Sequence, residues 1–168
     1  MYEQVGEEEI SDNNLLTTIP RINEEWSLAF EIRPTMYYTT FKQFLNMRRN
    51  GEDFHPAFYM MNPDMWRVHF TGPNSVDLPN TAAVDQWTKI EFIQEKREDT
   101  HFIVISMNGE EIYNEENSHL TSRQEAENVE VYTNLNQGPQ PGFIRGLIVQ
   151  NRALDENQPQ NRVASREL

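Results

Sequence analysis

Glu91 and Glu95 stand four residues apart, on either side of Ile93. In an extended segment residues i, i+2 and i+4 point to the same face. Carboxylates gathered on one face could divide the nucleophile and acid roles at a glycosidic bond. Only Glu91 and Glu95 are present, with Ile93 between them, and the pair reads as solvated strand charges. No Gly-x-Ser-x-Gly elbow is present to present a serine nucleophile. There are no cysteines, which removes thiolate nucleophiles, thiolate metal sites and disulfides together. His55, His69, His101 and His119 are scattered without zinc-ligand spacing. Catalysis is therefore not expected, and recognition is.

Recognition needs aromatic rings beside polar groups. Tyr37 and Tyr38, in Pro-Thr-Met-Tyr-Tyr, offer such rings. Arg67 and His69 alternate with Trp66, Val68 and Phe70, so they share the face opposite those apolar residues. Arg48, followed by Arg49, suits acidic groups. The plainer reading is that the tyrosines cap the core edge and the cations pair with the many acids. Oxygen ligands for a hard cation such as calcium are offered by Glu52 and Asp53, by Asp64, and by the Asn-Glu-Glu-Asn run at 114–117, though without EF-hand spacing.

Charge narrows the partners. Fourteen Lys and Arg against 27 Asp and Glu leave a formal net charge of −13. A surface this acidic repels phosphate backbones and anionic membranes, so no nucleic-acid partner is expected. No run of about 18 apolar residues is present to span a membrane. Residues 1–10 are neither basic nor apolar and do not read as a signal peptide.

The elements that must position these residues are strands. Trp26, Leu28, Phe30 and Ile32 alternate with Ser27, Ala29, Glu31 and Arg33, a strand with one buried face. Residues 39–49 are expected as a strand, with a helix as the competing reading. Leu45 and Met47 share one side and Phe44 lies on the other. Residues 51–56 follow as an acidic loop, and 57–61 and 65–70 as a hairpin. Residues 87–113 hold three strands in a row, the last two joined at Asn108-Gly109. Asn-Gly is a strong two-residue hairpin signal because both residues accept positive φ. Shorter strands are expected at 15–22, 75–78, 129–132 and 143–149, with Pro20 placing the first at a sheet edge. A helical turn is expected near 122–126. About ten strands and almost no helix predict an all-β antiparallel two-sheet sandwich, with a closed barrel as runner-up.

Several phrases in this order carry a resemblance. Glu-Trp-Ser-Leu-Ala-Phe-Glu-Ile-Arg-Pro is followed by a strand ending Arg-Asn-Gly, then Trp66-Arg67-Val68-His69-Phe70, then a strand opened by Trp87. An apolar strand then runs into the Asn108-Gly109 corner, and Pro141-Gly142 with Ile144-Arg145 starts the last core strand. The sequence resembles the jelly-roll sandwiches of the concanavalin A-like class, laminin G-like and pentraxin-like modules in particular, over residues 20–150. The galectin signatures His-x-Asn-Pro-Arg and Trp-x-x-Glu-x-Arg are both absent. The resemblance implies a non-catalytic extracellular module that binds glycan or protein. It also implies calcium at one rim of the sandwich, a part for which Asp53 and Asn114 are the candidates. The domain division expected is an acidic N-terminal arm at 1–12, disordered unless something holds it, the sandwich at 13–150, and a polar tail at 151–168. An alternative is a structural subunit of an extracellular assembly whose tails dock on neighbouring copies. A polysaccharide-cleaving enzyme is a third.

Overall fold

The computed structural model describes residues 1–4, 6–62, 65–71, 74–79, 82–117, 125–135 and 138–152. Thirteen strands fill them: β1 (Tyr2–Gln4), β2 (Glu8–Glu9), β3 (Leu15–Ile22), β4 (Trp26–Pro34), β5 (Lys42–Arg49), β6 (Glu52–Met61), β7 (Met65–Thr71), β8 (Asn74–Pro79), β9 (Thr88–Arg97), β10 (Thr100–Met107), β11 (Glu110–Glu116), β12 (Ala126–Tyr132) and β13 (Gly142–Asn151). They form two antiparallel sheets. One has seven strands in the order β1-β13-β4-β9-β10-β11, with β2 also on β13; the other has six in the order β3-β12-β5-β6-β7-β8. The expected two-sheet sandwich is the fold. Of the helical turn expected near 122–126, residues 122–124 lie outside the described residues and Ala126 opens β12; most of the tail also lies outside them.

Alternation builds the core. β4 reads buried, half-buried without a break, sending Trp26, Leu28, Phe30 and Ile32 inward. β9 adds Ile90 and Phe92, and β10 adds Ile103, Ile105 and Met107. From the opposite sheet come Phe58, Met60, Trp66 and Val68, all fully buried. Phe58 sits at the centre. Its ring lies 5.3 Å from Phe30, 5.6 Å from Phe44, 5.9 Å from Trp66 and 6.3 Å from Phe92. Such aromatic contacts add to the large apolar area each ring buries.

The strand registers slip at several points, and two of these slips redirect core side chains. Phe44 was expected on the face opposite Leu45, yet both are fully buried. The register of β5 against β6 slips between Gln43 and Leu45, which turns Phe44 into the core. In β13 the register slips between Arg145 and Ile148, with Gly146 at φ 63°, so Ile144 and Leu147 both face inward.

Turn chemistry sets the strand ends. Asn50-Gly51 and Asn108-Gly109 all have positive φ, and each pair joins strands whose flanking residues face one another, Arg49 to Glu52 and Met107 to Glu110. Because two residues suffice for the reversal, β6 starts at Glu52 and the expected loop at 51–56 is mostly strand. β11 runs on to Glu116 because it stays paired with β10 as far as Phe102. Of the three strands expected within 87–113, β9 and β10 are interior and β11 is a sheet edge. Pro20 sits in β3, an edge strand, where no outer neighbour asks for its missing N–H.

The arm expected at the N-terminus is held by the last strand. Tyr2, Glu3 and Gln4 pair with Val149, Ile148 and Leu147, and Glu8 and Glu9 pair with Ile144 and Phe143. Ile10 is buried and its N–H donates to the Gly142 carbonyl at 3.0 Å.

Candidate binding face on the six-stranded sheet

The outward face of β5, β6 and β7 gathers polar and aromatic side chains. Phe58 and Met60 point inward, so Ala57 and Tyr59 between them point outward; Val68 and Phe70 likewise set Arg67 and His69 outward. Register lines these residues up in two rows. Gln43 faces Tyr59, Tyr59 faces Arg67, and Arg67 faces Asp77 of β8. Tyr132 of β12 faces Asn46, Asn46 faces Ala57, Ala57 faces His69, and His69 faces Ser75. Ala57 is buried between larger neighbours.

Each principal member is pinned. Gln43 is fully buried; its Nε2 donates to the Tyr59 hydroxyl at 2.9 Å and its Oε1 accepts from the Leu135 N–H at 2.8 Å. The Tyr59 and His69 rings pack 5.1 Å apart. Arg67 donates from Nε and a terminal nitrogen to the two oxygens of Asp77, at 2.6 and 2.9 Å, and lies 4.1 Å from the centre of the Phe41 ring. That hydrogen-bonded pair lowers the Asp77 pKa and raises that of Arg67, against a smaller opposing effect of burial. The Tyr132 hydroxyl donates to Glu130, which raises the Tyr132 pKa. Asn46 is 5% exposed, and its Oδ1 is enclosed with no hydrogen-bond donor among the described residues.

The candidates drawn from the sequence fall in several places. Arg67 and His69 lie on this face, as their alternation required. Arg48 lies on β5 between Glu130 and Asp53 in register and donates to the Gly51 carbonyl at 2.6 Å. Tyr38 is 42% exposed and carries the Lys42 ammonium 5.1 Å from its ring centre, at the β6–β7 end of the same sheet, where its carbonyl accepts from Asn62 N–H. Tyr37 packs against the core, and its hydroxyl donates to the Ala82 carbonyl.

Asp53 and Asn114, expected in rim loops, both stand in strands of different sheets: Asp53 on β6 and Asn114 on β11. β6 begins directly after the Asn50-Gly51 turn, and β11 continues past Tyr113 because Asn114 pairs with Val104 of β10. The Asn114 amide accepts from Arg97 and donates to Glu111, each at 2.9 Å. Among the described residues no group of three or more His, Asp or Glu converges on one point. Asn114 lines a hollow of about 380 Å³ on the outer face of the seven-stranded sheet, together with Ile93, Val104, Glu95, Arg97 and Arg152. There Glu95 is buried under Arg97 at 2.6 Å and Arg152 at 3.4 Å, while Glu91 pairs with Lys89 at 2.7 Å. The two acids weighed for catalysis are thus tied to different cations.

Tyr59, Gln43, Asn46 and Asp77 did not stand out in the sequence. Tyr59 lies inside an apolar run, Ala57-Phe58-Tyr59-Met60-Met61, in which period-2 polarity is hidden.

No family model matches the chain, and no curated protein matches it by sequence. Solved structures match through the fold. A native heptameric SAP-like pentraxin from Limulus polyphemus superposes with a TM-score of 0.62 at 12% identity, covering 93% of this chain and 78% of that one. The carbohydrate-binding domain CBM40 of the Ruminococcus gnavus IT-sialidase, solved with α2,3-sialyllactose bound, gives 0.57 at 13% identity, over 92% of this chain and 96% of its own. Galectin LEC-6 from Caenorhabditis elegans gives 0.54 at 14% identity, over 86% and 96%. These neighbours are concanavalin A-like jelly-roll domains, and the present chain has that fold. At such identities the likeness is one of architecture.

Proposed function

We propose that the chain is a non-catalytic recognition module of an extracellular protein, binding glycans through the outward face of β5–β8. The observation that carries this reading is the pinned array of Tyr59, His69 and Arg67. A sugar ring offers apolar C–H faces to aromatic rings and hydroxyls to polar groups, and an array fixed before binding loses little entropy on capture. The sialyllactose held by the CBM40 neighbour and the galectin among the similar folds point to the same ligand class. Calcium assistance belongs to this proposal as its metal-dependent form, with Asp53, on the sheet that bears this face, as the candidate ligand and Asn114, on the other sheet, set aside.

A glycan array probed with the intact chain, with and without calcium, tests the reading. Binding should appear and should be lost on Tyr59→Ala, with the fold retained by circular dichroism. Silence on the array under both conditions sinks it. A thermal melt at millimolar calcium and with chelator decides the metal form, since a cation bound to the folded state must raise the melting temperature.

A further inference from the structure

Arg67 is the cation that the register places between Tyr59 and Asp77, and its charge is already answered. A guanidinium has five N–H donors. Asp77 takes two of them with both its oxygens, and Phe41 lies under the group. Three donors therefore remain, with no partner among the described residues, while the positive charge is balanced at contact distance. An incoming carboxylate would have to compete with Asp77, and would approach a chain of net charge −13. An incoming hydroxyl meets neither obstacle, because it accepts a hydrogen bond without needing uncompensated charge.

We infer that Asp77 sets the charge class of the ligand, restricting this face to neutral, hydroxyl-bearing sugars. The inference rests on the glycan-recognition reading above. Arg48, the other arginine on this side of β5, stands between Glu130 and Asp53 in register and is held by the Gly51 carbonyl, so it does not restore an open cationic site. Asp77 is a positioning and specificity residue: it holds Arg67 in place for hydroxyls and cancels its appeal to acids.

The test uses matched pairs of oligosaccharides, each neutral sugar beside its sialylated counterpart, lactose and sialyllactose among them, at about 50 and about 500 mM salt. The wild-type chain should bind the neutral member at least as well as the sialylated one, with little change between the two salts. Asp77→Asn should gain about tenfold for the sialylated members at the lower salt, the size of one charge-assisted hydrogen bond, and lose that gain at the higher. Asp77→Glu, which keeps the charge, should keep the wild-type preference. A wild-type chain that prefers sialylated members and weakens with salt overturns the inference while leaving glycan recognition standing. So does an Asp77→Asn chain that remains folded with an unchanged ratio. If no glycan of either kind binds, the recognition reading falls and this inference with it.

Discussion

Asp77 holds Arg67 from the neighbouring strand with both oxygens of its carboxylate, at 2.6 and 2.9 Å. The pairing depresses the Asp77 pKa, first through the hydrogen bond and then through the guanidinium charge. A carboxyl depressed in the folded state contributes stability above its unfolded pKa and loses it as pH falls through the folded value. Both side chains are about a third exposed or more, so solvent screening keeps the contribution below about 1 kcal/mol. Asp77→Asn should therefore lower the melting temperature slightly at neutral pH. The two curves should meet once the pH drops below the folded pKa of Asp77. Melts taken from pH 7 down to the acid limit check this, and a gap that persists in acid would assign the loss to something other than the ion pair.

Gly142 opens β13 against Pro34 of β4 with φ 152°. A Cβ there would lie 2.4 Å from the Arg33 carbonyl oxygen and 2.9 Å from Pro34 Cα, both backbone atoms that cannot swing away. Gly109 has a comparable need for positive φ, at 81°, but nothing within 4 Å of its Cβ position. Gly109→Ala should then cost only the left-handed conformation, roughly 1–2 kcal/mol. Gly142→Ala should cost more, roughly 2–4 kcal/mol, since strain and a backbone clash add. Urea unfolding of the two variants ranks them, and an equal loss would mean that β4 and β13 part without resistance.

What could be read from the sequence was whatever repeats every two residues. β4 and β7 alternate cleanly and β9 does so as far as Gln94, and the Asn-Gly pairs named their turns, so the sandwich was visible. The bulges at Phe44 and Gly146 were not, because a slipped register leaves the composition unchanged. The strands on the arm were hidden for a different reason. Edge pairing of Tyr2–Gln4 to β13 uses backbone groups, and of its three side chains Tyr2 alone packs against the core. Half of the candidate face followed from alternation, through Arg67 and His69. The other half depends on long-range partners. Gln43 fixes Tyr59 from 16 residues away and is itself fixed by Leu135 from 92 residues away, distances at which no local pattern speaks.

Phe58 joins the two sheets through four ring contacts, two of them to strands of the opposite sheet, at Phe30 and Phe92. Removing the ring deletes buried area and leaves a cavity that Trp66, stacked on it at 13°, is too rigid to fill. Phe58→Ala should cost about 3–5 kcal/mol. Phe102→Ala provides the contrast: that ring is half-buried on the outer side under the Arg97 guanidinium, 4.1 Å away, and its loss should cost less than half as much. Chemical denaturation with unchanged slope for both variants would check the ranking.

The N-terminal strands cover the free edge of β13. Take away residues 1–9 and β13 pairs with β4 alone, leaving a ten-residue edge of sequence Gly-Phe-Ile-Arg-Gly-Leu-Ile-Val-Gln-Asn with one charge. An edge that long, apolar and weakly charged is a template for another strand. Stability should change little, by less than about 2 kcal/mol, because the hydrogen bonds lost are offset by the ordering entropy the arm no longer surrenders. Association should change more. Light scattering across a concentration series should show the trimmed chain self-associating where the intact chain does not, with added Met1–Ile10 peptide suppressing the effect by re-covering the edge. A trimmed chain of monomeric mass at every concentration would mean that the acidic surface, not the arm, keeps the copies apart.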